Sequence, residues 1–259
     1  EKMAKKGLFG ELIHAEGGYA HPIGDRWTPW RMAYAQQNSG DVYPTHGIGP
    51  ACKLLNMHKT DRMHYLTSMQ TDAFIGTQIY QKVMQTPCSF FANGDQTSTT
   101  IRTLKGKTIL IQHNVMTPRP YNRMFQVVGT HGYAAKYPIH EVLLNNNSAA
   151  RAGIELNDDN MPLSTPQLEK LLNRYAPPFS RETINLAKQL DSRGGMSFFM
   201  DLRLAQCLQQ GLPLDMDVYD LAEWCCIAEL SKLSIEHGSM PVNFIFSRDR
   251  VFLCCPGWS

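Results

Sequence analysis

Six stretches in the first part of the chain predict β-strands, because apolar side chains recur at every second position or β-formers cluster between turn residues. Turns as short as Lys105-Gly106 join successive strands, and one helix, Phe74–Met84, interrupts the series. Strands joined by short turns must run antiparallel, since a parallel pair needs a long crossover. The predicted strands are Glu11–Tyr19, His64–Thr71, Thr97–Thr103, Thr108–Asn114, Met124–Gly129 and Tyr133–Tyr137.

The last third of the chain predicts helices instead. In the final one, Asp217 is a suitable N-cap, and Ala222, Cys226, Leu230 and Leu233 recur on one face. Strands followed by helices predict an α+β fold: an open, largely antiparallel sheet with helices on one face and the other face left for a partner. The predicted helices are Thr165–Tyr175, Arg181–Leu190, Met196–Gln210 and Asp217–His237.

Three segments predict irregular structure. Pro22–Gln37 is aromatic, rich in proline and without a period, and only a short helix, Ala51–Leu55, is expected soon after it. Asn145–Met161, rich in Asn, Asp and Ala, predicts a surface loop. Residues 244–259 are unusually apolar for a terminus and fit no helix. We therefore predict one domain over residues 1–243 and an atypical tail over 244–259.

Composition and charge exclude several partners. The chain is 43% hydrophobic and 19% charged, which is ordinary for a globular protein. Its formal net charge of +2 is spread along the sequence and gives no basic patch for nucleic acid or an anionic membrane. Apolar stretches such as Trp224–Leu230 are far shorter than the roughly twenty residues of a membrane span.

The candidate chemistry lies near the start of the chain, in Tyr19-Ala-His21, Arg31 and Tyr43-Pro-Thr-His46. Phenols and imidazoles can pass protons near neutral pH, and a guanidinium can hold an oxygen-rich ligand by paired hydrogen bonds. Tyr19 and His21 are two residues apart at the end of a predicted strand, so both rings can face one cleft. These residue types predict half of a sugar-handling active site.

No metal site is predicted. The seven cysteines form no Cys-x-x-Cys or Cys/His ligand spacing. A zinc site formed by His14, His21 and His46 is conceivable but has no short-spaced ligand pair, and His14 is better explained as a histidine of the sheet.

Several motifs together resemble the C-terminal domain of the NAD-dependent glycosidases of glycoside hydrolase family 109, in the Gfo/Idh/MocA oxidoreductase superfamily. The resemblance runs from about Gly7 to Val242, with gaps. The pairing of Tyr-Pro-Thr-His with Pro-Arg-Pro-Tyr separates this family from its sugar-dehydrogenase relatives. The motifs are Gly7-Leu-Phe-Gly-Glu-Leu-Ile-His14, Gly17-Gly-Tyr-Ala-His21, Trp30-Arg31, Tyr43-Pro-Thr-His-Gly-Ile-Gly-Pro50, Asp61-Arg-Met63, Gly106-Lys-Thr-Ile109, Thr117-Pro-Arg-Pro-Tyr121 and Gly211-Leu-Pro-Leu-Asp-Met-Asp-Val-Tyr-Asp220.

The resemblance implies that the whole protein removes terminal α-N-acetylgalactosamine from a glycan. NAD⁺ takes hydride from the sugar C3, the C1 substituent is eliminated, water adds, and the hydride returns. By motif position, His46 would take the C3 hydroxyl proton, and Tyr19 would act at C2 or on the departing oxygen. His21, Arg31 and two tyrosines would bind the sugar; these tyrosines, which could equally be packing aromatics, are Tyr43 and Tyr121.

The cofactor site is expected elsewhere. No G-x-G-x-x-G follows a strand, so the resemblance implies that NAD is bound mainly by an N-terminal Rossmann domain that this chain lacks. The chain alone is then expected to be inactive. It also departs from the family at Arg193-Gly-Gly-Met-Ser197, where relatives often have His-Gly-Gly-Met-Asp.

Two alternatives stay open. The parent protein could be a Gfo/Idh/MocA sugar dehydrogenase with net oxidation, or the chain could be a non-catalytic interaction domain. In either case the open sheet face is expected to pair subunits of a homo-oligomer.

Overall fold

Eight strands form one mixed sheet in the computed structural model, which describes residues 1–156, 158, 161–176, 179, 181–191, 194–247 and 250–252. The strands are β1 Leu12–Ala20, β2 Met63–Gln70, β3 Thr97–Thr103, β4 Thr108–Asn114, β5 Gln126–Gly129, β6 Gly132–Ala135, β7 Glu141–Leu144 and β8 Val242–Asn243. Their order is β7-β6-β5-β1-β4-β3-β2-β8, and β1 and β4 are the one parallel pair within this sheet. The predicted open, largely antiparallel sheet is confirmed.

The helices that form the core lie on one face of this sheet. Ala15, Ile109 and Ile111 project from β1 and β4 into a buried cluster with residues of the third and ninth helices. The opposite face exposes residues such as Thr100, Arg102 and Met69 to solvent. The helices are α1 Lys2–Lys5, α2 Pro29–Gln37, α3 Thr45–Leu55, α4 Gly76–Met84, α5 Asn146–Arg151, α6 Thr165–Arg174, α7 Arg181–Leu190, α8 Met196–Gln210 and α9 Val218–Glu236.

Helix α3 packs directly on β1 through a pair of glycines. A Cβ atom on Gly17 would lie 2.3 Å from the carbonyl oxygen of Gly47, closer than any side chain allows. The missing side chains let the two backbones touch. This contact fixes the first turn of α3, which contains His46, beside the end of β1, which contains Tyr19.

The prediction of a loop over Pro22–Gln37 is wrong for its second half. A short 3-10 turn covers Gly24–Arg26, and α2 begins at Pro29, which is well suited to the first position of a helix. Met32 and Ala35 are buried in a small second cluster with Tyr80 of α4. Met32 and Ala35 are the two buried residues of α2. Two apolar positions are too few to show a helical period in the sequence.

The predicted helix Ala51–Leu55 begins six residues too late. Helix α3 starts at Thr45 and contains Gly47, Gly49 and Pro50, which are poor helix formers. The close packing of Gly47 on β1 outweighs these local preferences.

The surface loop predicted over Asn145–Met161 is also wrong in its first part. The Asn145 side chain accepts a hydrogen bond from the Ser148 N–H and caps α5. Ala149, Ala152 and Ile154 are then buried in the main core. The alanines that looked like loop residues are small enough to let α5 approach the sheet.

Helix α9 is capped as predicted, since the Asp217 side chain accepts from the N–H groups of Tyr219 and Asp220. Its predicted apolar face is wrong in part, because Ala222 is exposed. The buried face instead includes two large side chains, Trp224 and Ile227.

The predicted tail is described only in part. Phe244 is buried in the core, and its N–H donates to the carbonyl oxygen of His64 at 2.8 Å. Two short strands, β9 Ile245–Ser247 and β10 Arg250–Phe252, pair with each other. Residues 253–259 and Arg193 lie outside the described residues. Within the described part, no helix is both long and apolar enough to cross a membrane.

Candidate functional site

The candidate site is a pocket of about 310 Å³ at the carboxyl ends of β1 and β4. These strands are parallel neighbours, so their ends meet at the same edge of the sheet, with Tyr19 opposite His113. Helix α2 and the segment before α3 form the other walls. Lining side chains that can bind a polar ligand include Tyr19, His21, Arg26, Arg31, Tyr34, Tyr43 and His113.

Tyr19 is the centre of an aromatic cluster. Its ring centroid lies 4.7 Å from that of His21, 5.1 Å from that of Tyr43 and 4.6 Å from that of His46. The structure therefore brings together four of the residues that the sequence singled out. The phenol and imidazole rings of this cluster, which can donate, accept and transfer protons, are all in contact with the ring of Tyr19.

His46 lies beside the pocket and is not part of its lining. Its ring also contacts Tyr43, at 4.8 Å between centroids. The carbonyl of Pro44 accepts from the N–H groups of Gly47 and Ile48 at 3.0 and 2.9 Å, which starts helix α3 and fixes His46 in its first turn. His46 is therefore placed by backbone structure at the edge of the pocket, next to Tyr19 and Tyr43.

His21 is buried, with 7% of its surface exposed. Its Nδ1 lies 3.0 Å from the carbonyl oxygen of Pro22, and a carbonyl only accepts, so we assign the ring proton to Nδ1. A guanidinium nitrogen of Arg26 lies 3.4 Å from the same atom, too far to override this assignment. The Nε2 atom of His21 is then left as an acceptor.

Arg31 lines the pocket from helix α2 and is exposed to solvent. Its guanidinium donates to the carbonyl oxygen of Arg26 at 3.1 Å and lies 5.2 Å from the ring centroid of Trp30. A guanidinium has five N–H donors. These two contacts orient the guanidinium and leave other N–H donors that a ligand in the pocket can use.

Tyr121 borders the site without lining the pocket. Its ring lies 5.6 Å from that of His21, and its side chain is half exposed. Sequence reasoning missed its neighbour Arg123, which donates from Nε to the Tyr121 hydroxyl. The same guanidinium lies 5.2 Å from the ring of Tyr19 and 5.3 Å from that of Tyr121, so it links the two tyrosines by cation–π contacts.

Sequence reasoning also missed His113. This side chain is 3% exposed. Burial is the main reason why its pKa is lowered to about 4, and the nearby His21 lowers it further. A signal was available: Ile109, Ile111 and His113 alternate along β4 and must share the buried face. An imidazole that ends an apolar strand face is a candidate pocket residue.

Asp41 was missed as well. It is 2% exposed, and burial raises its pKa to about 7, against the opposing effect of a hydrogen bond from the Tyr43 N–H at 3.2 Å. Its own N–H donates to the Ser231 hydroxyl of α9 at 2.9 Å. Asp41 therefore ties the Tyr43 segment to the core, and no local sequence pattern indicated that it would be buried.

The three histidines weighed as a zinc site are not brought together. His14 points to the opposite face of β1 from Tyr19, where its Nδ1 lies 2.7 Å from the Thr108 hydroxyl and its Nε2 lies 3.3 Å from a Glu16 carboxylate oxygen. Among the residues that the structure describes, no group of three potential ligands could hold a metal ion.

Comparison with known proteins identifies the family. The family model described as "Glycosyl hydrolase 109, C-terminal domain" matches residues 24–250. The chain belongs to glycosyl hydrolase family 109. It is 53% identical over 247 residues to glycosyl hydrolase family 109 protein 1 of Bacteroides fragilis, covering 93% of this chain and 53% of that protein. A family 109 protein of Porphyromonas gingivalis is 49% identical over 248 residues, with the same coverage. The chain thus spans about half the length of these relatives.

Solved structures show the same fold. The NAD-binding protein of Listeria innocua matches with a TM-score of 0.54 at 14% identity, covering 93% of this chain and 62% of that one. The scyllo-inositol dehydrogenase of Lactobacillus casei, solved with NAD(H) and scyllo-inositol, matches with a TM-score of 0.51 at 7% identity, covering 93% and 59%. The fold is that of the Gfo/Idh/MocA oxidoreductases, as the sequence motifs predicted.

Proposed function

We propose that this chain is the substrate-binding domain of an NAD-dependent glycosidase that removes terminal α-N-acetylgalactosamine. One observation carries the proposal: within a family 109 domain, the ring centroids of Tyr19 and His46 lie 4.6 Å apart beside a pocket that His, Tyr and Arg side chains help to line. The route begins with oxidation at C3, which acidifies the C2 proton. Elimination of the C1 substituent, addition of water and reduction at C3 then complete hydrolysis.

Two proton carriers in contact suit this route, because its proton transfers occur at neighbouring sugar carbons. His46 accepts the C3 hydroxyl proton, and Tyr19 acts at C2 or on the departing oxygen. Ordinary glycosidases instead place two carboxyl groups on either side of the glycosidic bond. Among the described side chains that line the pocket, none is Asp or Glu.

The remaining predicted residues bind the sugar. His21 offers Nε2 as an acceptor, and the Arg31 guanidinium donates to a hydroxyl or to the acetamido oxygen. Tyr43 and Tyr121 are about half exposed and border the site on the solvent side, where their rings and hydroxyls can contact a sugar. Together these groups hold an uncharged, oxygen-rich ligand.

The described residues fit only the reacting end of NAD. The tandem Gly17-Gly18 lies inside β1, and Gly17 packs against Gly47, so this pair is not a phosphate-binding turn. Trp30 lines the pocket and is exposed, and its flat ring suits the nicotinamide. When bound, NAD⁺ supplies reversible hydride transfer at C3. Its phosphates are assigned to a further domain, and the chain alone is expected to be inactive.

The proposal is tested in a parent protein that pairs this chain with a dinucleotide-binding domain. His46→Ala and Tyr19→Phe should each lower kcat for an aryl α-N-acetylgalactosaminide by roughly 10²- to 10⁴-fold, the usual effect of losing a proton carrier. His64→Gln, on an exposed strand position, is the matched control and should retain activity. Unchanged kcat in both site variants would contradict the assigned roles, and lasting NADH accumulation without aglycone release would indicate a sugar dehydrogenase.

We also propose that the open sheet face pairs two copies of the protein. Three exposed residues on that face, Met69, Thr100 and Arg102, lie on adjacent strands β2 and β3. An open sheet face of this kind can pair with the same face of a second copy about a two-fold axis.

A further inference from the structure

His113 forms part of the pocket wall and has no role in the function proposed above. It lies in β4 between Tyr19 of β1 and Thr97 of β3, both directly opposite it in the sheet. Its ring is stacked with that of Tyr19, with centroids 6.4 Å apart and planes 27° from parallel. It therefore lies next to the centre of the candidate site.

The imidazole has unused hydrogen-bonding capacity. It lines the pocket, is 3% exposed, and takes part in no hydrogen bond among the residues that the structure describes. Because the ring lines the pocket and its nitrogens make no hydrogen bond within the described residues, a ligand in the pocket can supply their partner.

The charge state of His113 decides what it can do. Its pKa of about 4 keeps the ring neutral at physiological pH, because a charged imidazole would be buried beside His21. A neutral imidazole has one N–H donor and one acceptor nitrogen, which match the donor and acceptor of a hydroxyl group. At neutral pH it is suited to binding a hydroxyl and not to donating a proton as an acid.

We propose that His113 is a specificity-determining residue that hydrogen-bonds the C4 or C6 hydroxyl of the sugar in the pocket. This inference rests on the proposed function, in which His46 and Tyr19 act at C3, C2 and C1. The hydroxyls at C4 and C6 are the ones that remain for a wall residue adjacent to Tyr19.

The test uses the parent protein with His113→Phe, which keeps a ring but loses both nitrogens, and His113→Gln, which keeps a donor and an acceptor. The substrates are an aryl α-N-acetylgalactosaminide and its 4-deoxy and 6-deoxy analogues. His113→Phe should raise KM roughly ten- to hundred-fold, the effect of one lost hydrogen bond with an unpaired partner. His113→Gln should recover part of that loss, and His64→Gln, the exposed control, should leave KM unchanged.

The deoxy analogues identify the contact. For one of the two analogues, the kcat/KM of the wild type should be at least about ten-fold lower than for the parent substrate. His113→Phe should show similar kcat/KM values for that analogue and for the parent substrate, since the hydroxyl and its partner form one interaction. If His113→Phe discriminates against both analogues as strongly as the wild type does, the inference is overturned.

Calorimetric titration with N-acetylgalactosamine separates this inference from the proposed function. If the wild type releases no aglycone but binds the sugar, and His113→Phe binds it at least ten-fold more weakly, the hydrolytic function fails and the His113 contact stands. If the wild type binds no sugar, or both proteins bind it equally, the His113 contact is refuted. Should His113→Phe fail to fold, as judged by circular dichroism, the comparison uses His113→Leu, which also has no hydrogen-bonding atom in its side chain; equal binding by this variant and the wild type would again refute the contact.

Discussion

Asp41→Asn should remove a loss of folding stability that occurs as the pH rises. The Asp41 carboxyl is buried between the Tyr43 segment and α9, where it accepts a hydrogen bond from the Tyr43 N–H. The backbone N–H of Asp41 donates to the Ser231 hydroxyl. Among the described residues, no cation forms an ion pair with it. Asparagine has nearly the same shape, keeps an acceptor oxygen for Tyr43, and never ionises.

The magnitude follows from the change in pKa. Burial raises the pKa of Asp41 from its usual 3.8 to about 7 in the folded protein. Between these values the folded protein binds a proton that the unfolded chain has released, so the free energy of unfolding falls as pH rises. A difference of about 3 pH units corresponds to about 4 kcal/mol, lost between about pH 4 and 7 and constant above that.

Urea unfolding of the wild type and Asp41→Asn at several pH values from 4 to 8 measures this effect. Other titrating groups are the same in both proteins and cancel in the difference between their free energies of unfolding. That difference should shift in favour of Asp41→Asn by about 4 kcal/mol between pH 4 and 8. Asp201→Asn, at an exposed position of α8, should show no such shift. A difference for Asp41→Asn that is equal at pH 4 and 8 would refute the reasoning.

Two further predictions concern the packing of α3 and the open sheet face. Gly17→Ala should lower the free energy of unfolding by about 1–3 kcal/mol, measured with urea, because its Cβ would meet the Gly47 carbonyl at 2.3 Å; an unchanged urea midpoint would show that α3 does not rest on β1. Met69→Glu should convert an assembled parent protein to smaller species in light scattering, because it puts charges into the proposed interface. Leu208→Glu, at an exposed position of α8, is the control. A wild type that is monomeric, or an assembly that tolerates Met69→Glu, would contradict pairing through this face.

The strands were predictable because their side chains alternate between a buried and a solvent-facing side. The start of α3 was not, since Gly47 and Pro50 argue against a helix unless the contact with Gly17 is known. Such contacts join residues that are distant in sequence, and no local pattern contains them.

The site was predictable to the extent that its residues belong to motifs. Tyr19, His21, Tyr43 and His46 were identified from residue types and are in contact in the structure. Arg123 contacts the rings of Tyr19 and Tyr121, which lie in different segments of the chain. No local sequence pattern indicates these contacts. The burial of Asp41, two residues before Tyr43, likewise depends on α9, which is distant in sequence and contains its partner Ser231.

The C2 hydrogen of the released sugar tests the central claim most directly. A parent protein containing this chain is mixed with an aryl α-N-acetylgalactosaminide in deuterated water, and proton NMR follows the C2 position. The oxidation and elimination route predicts deuterium at C2 in the released N-acetylgalactosamine, because a solvent deuteron replaces the abstracted proton. Release of sugar that retains its C2 proton would contradict the account and indicate direct hydrolysis.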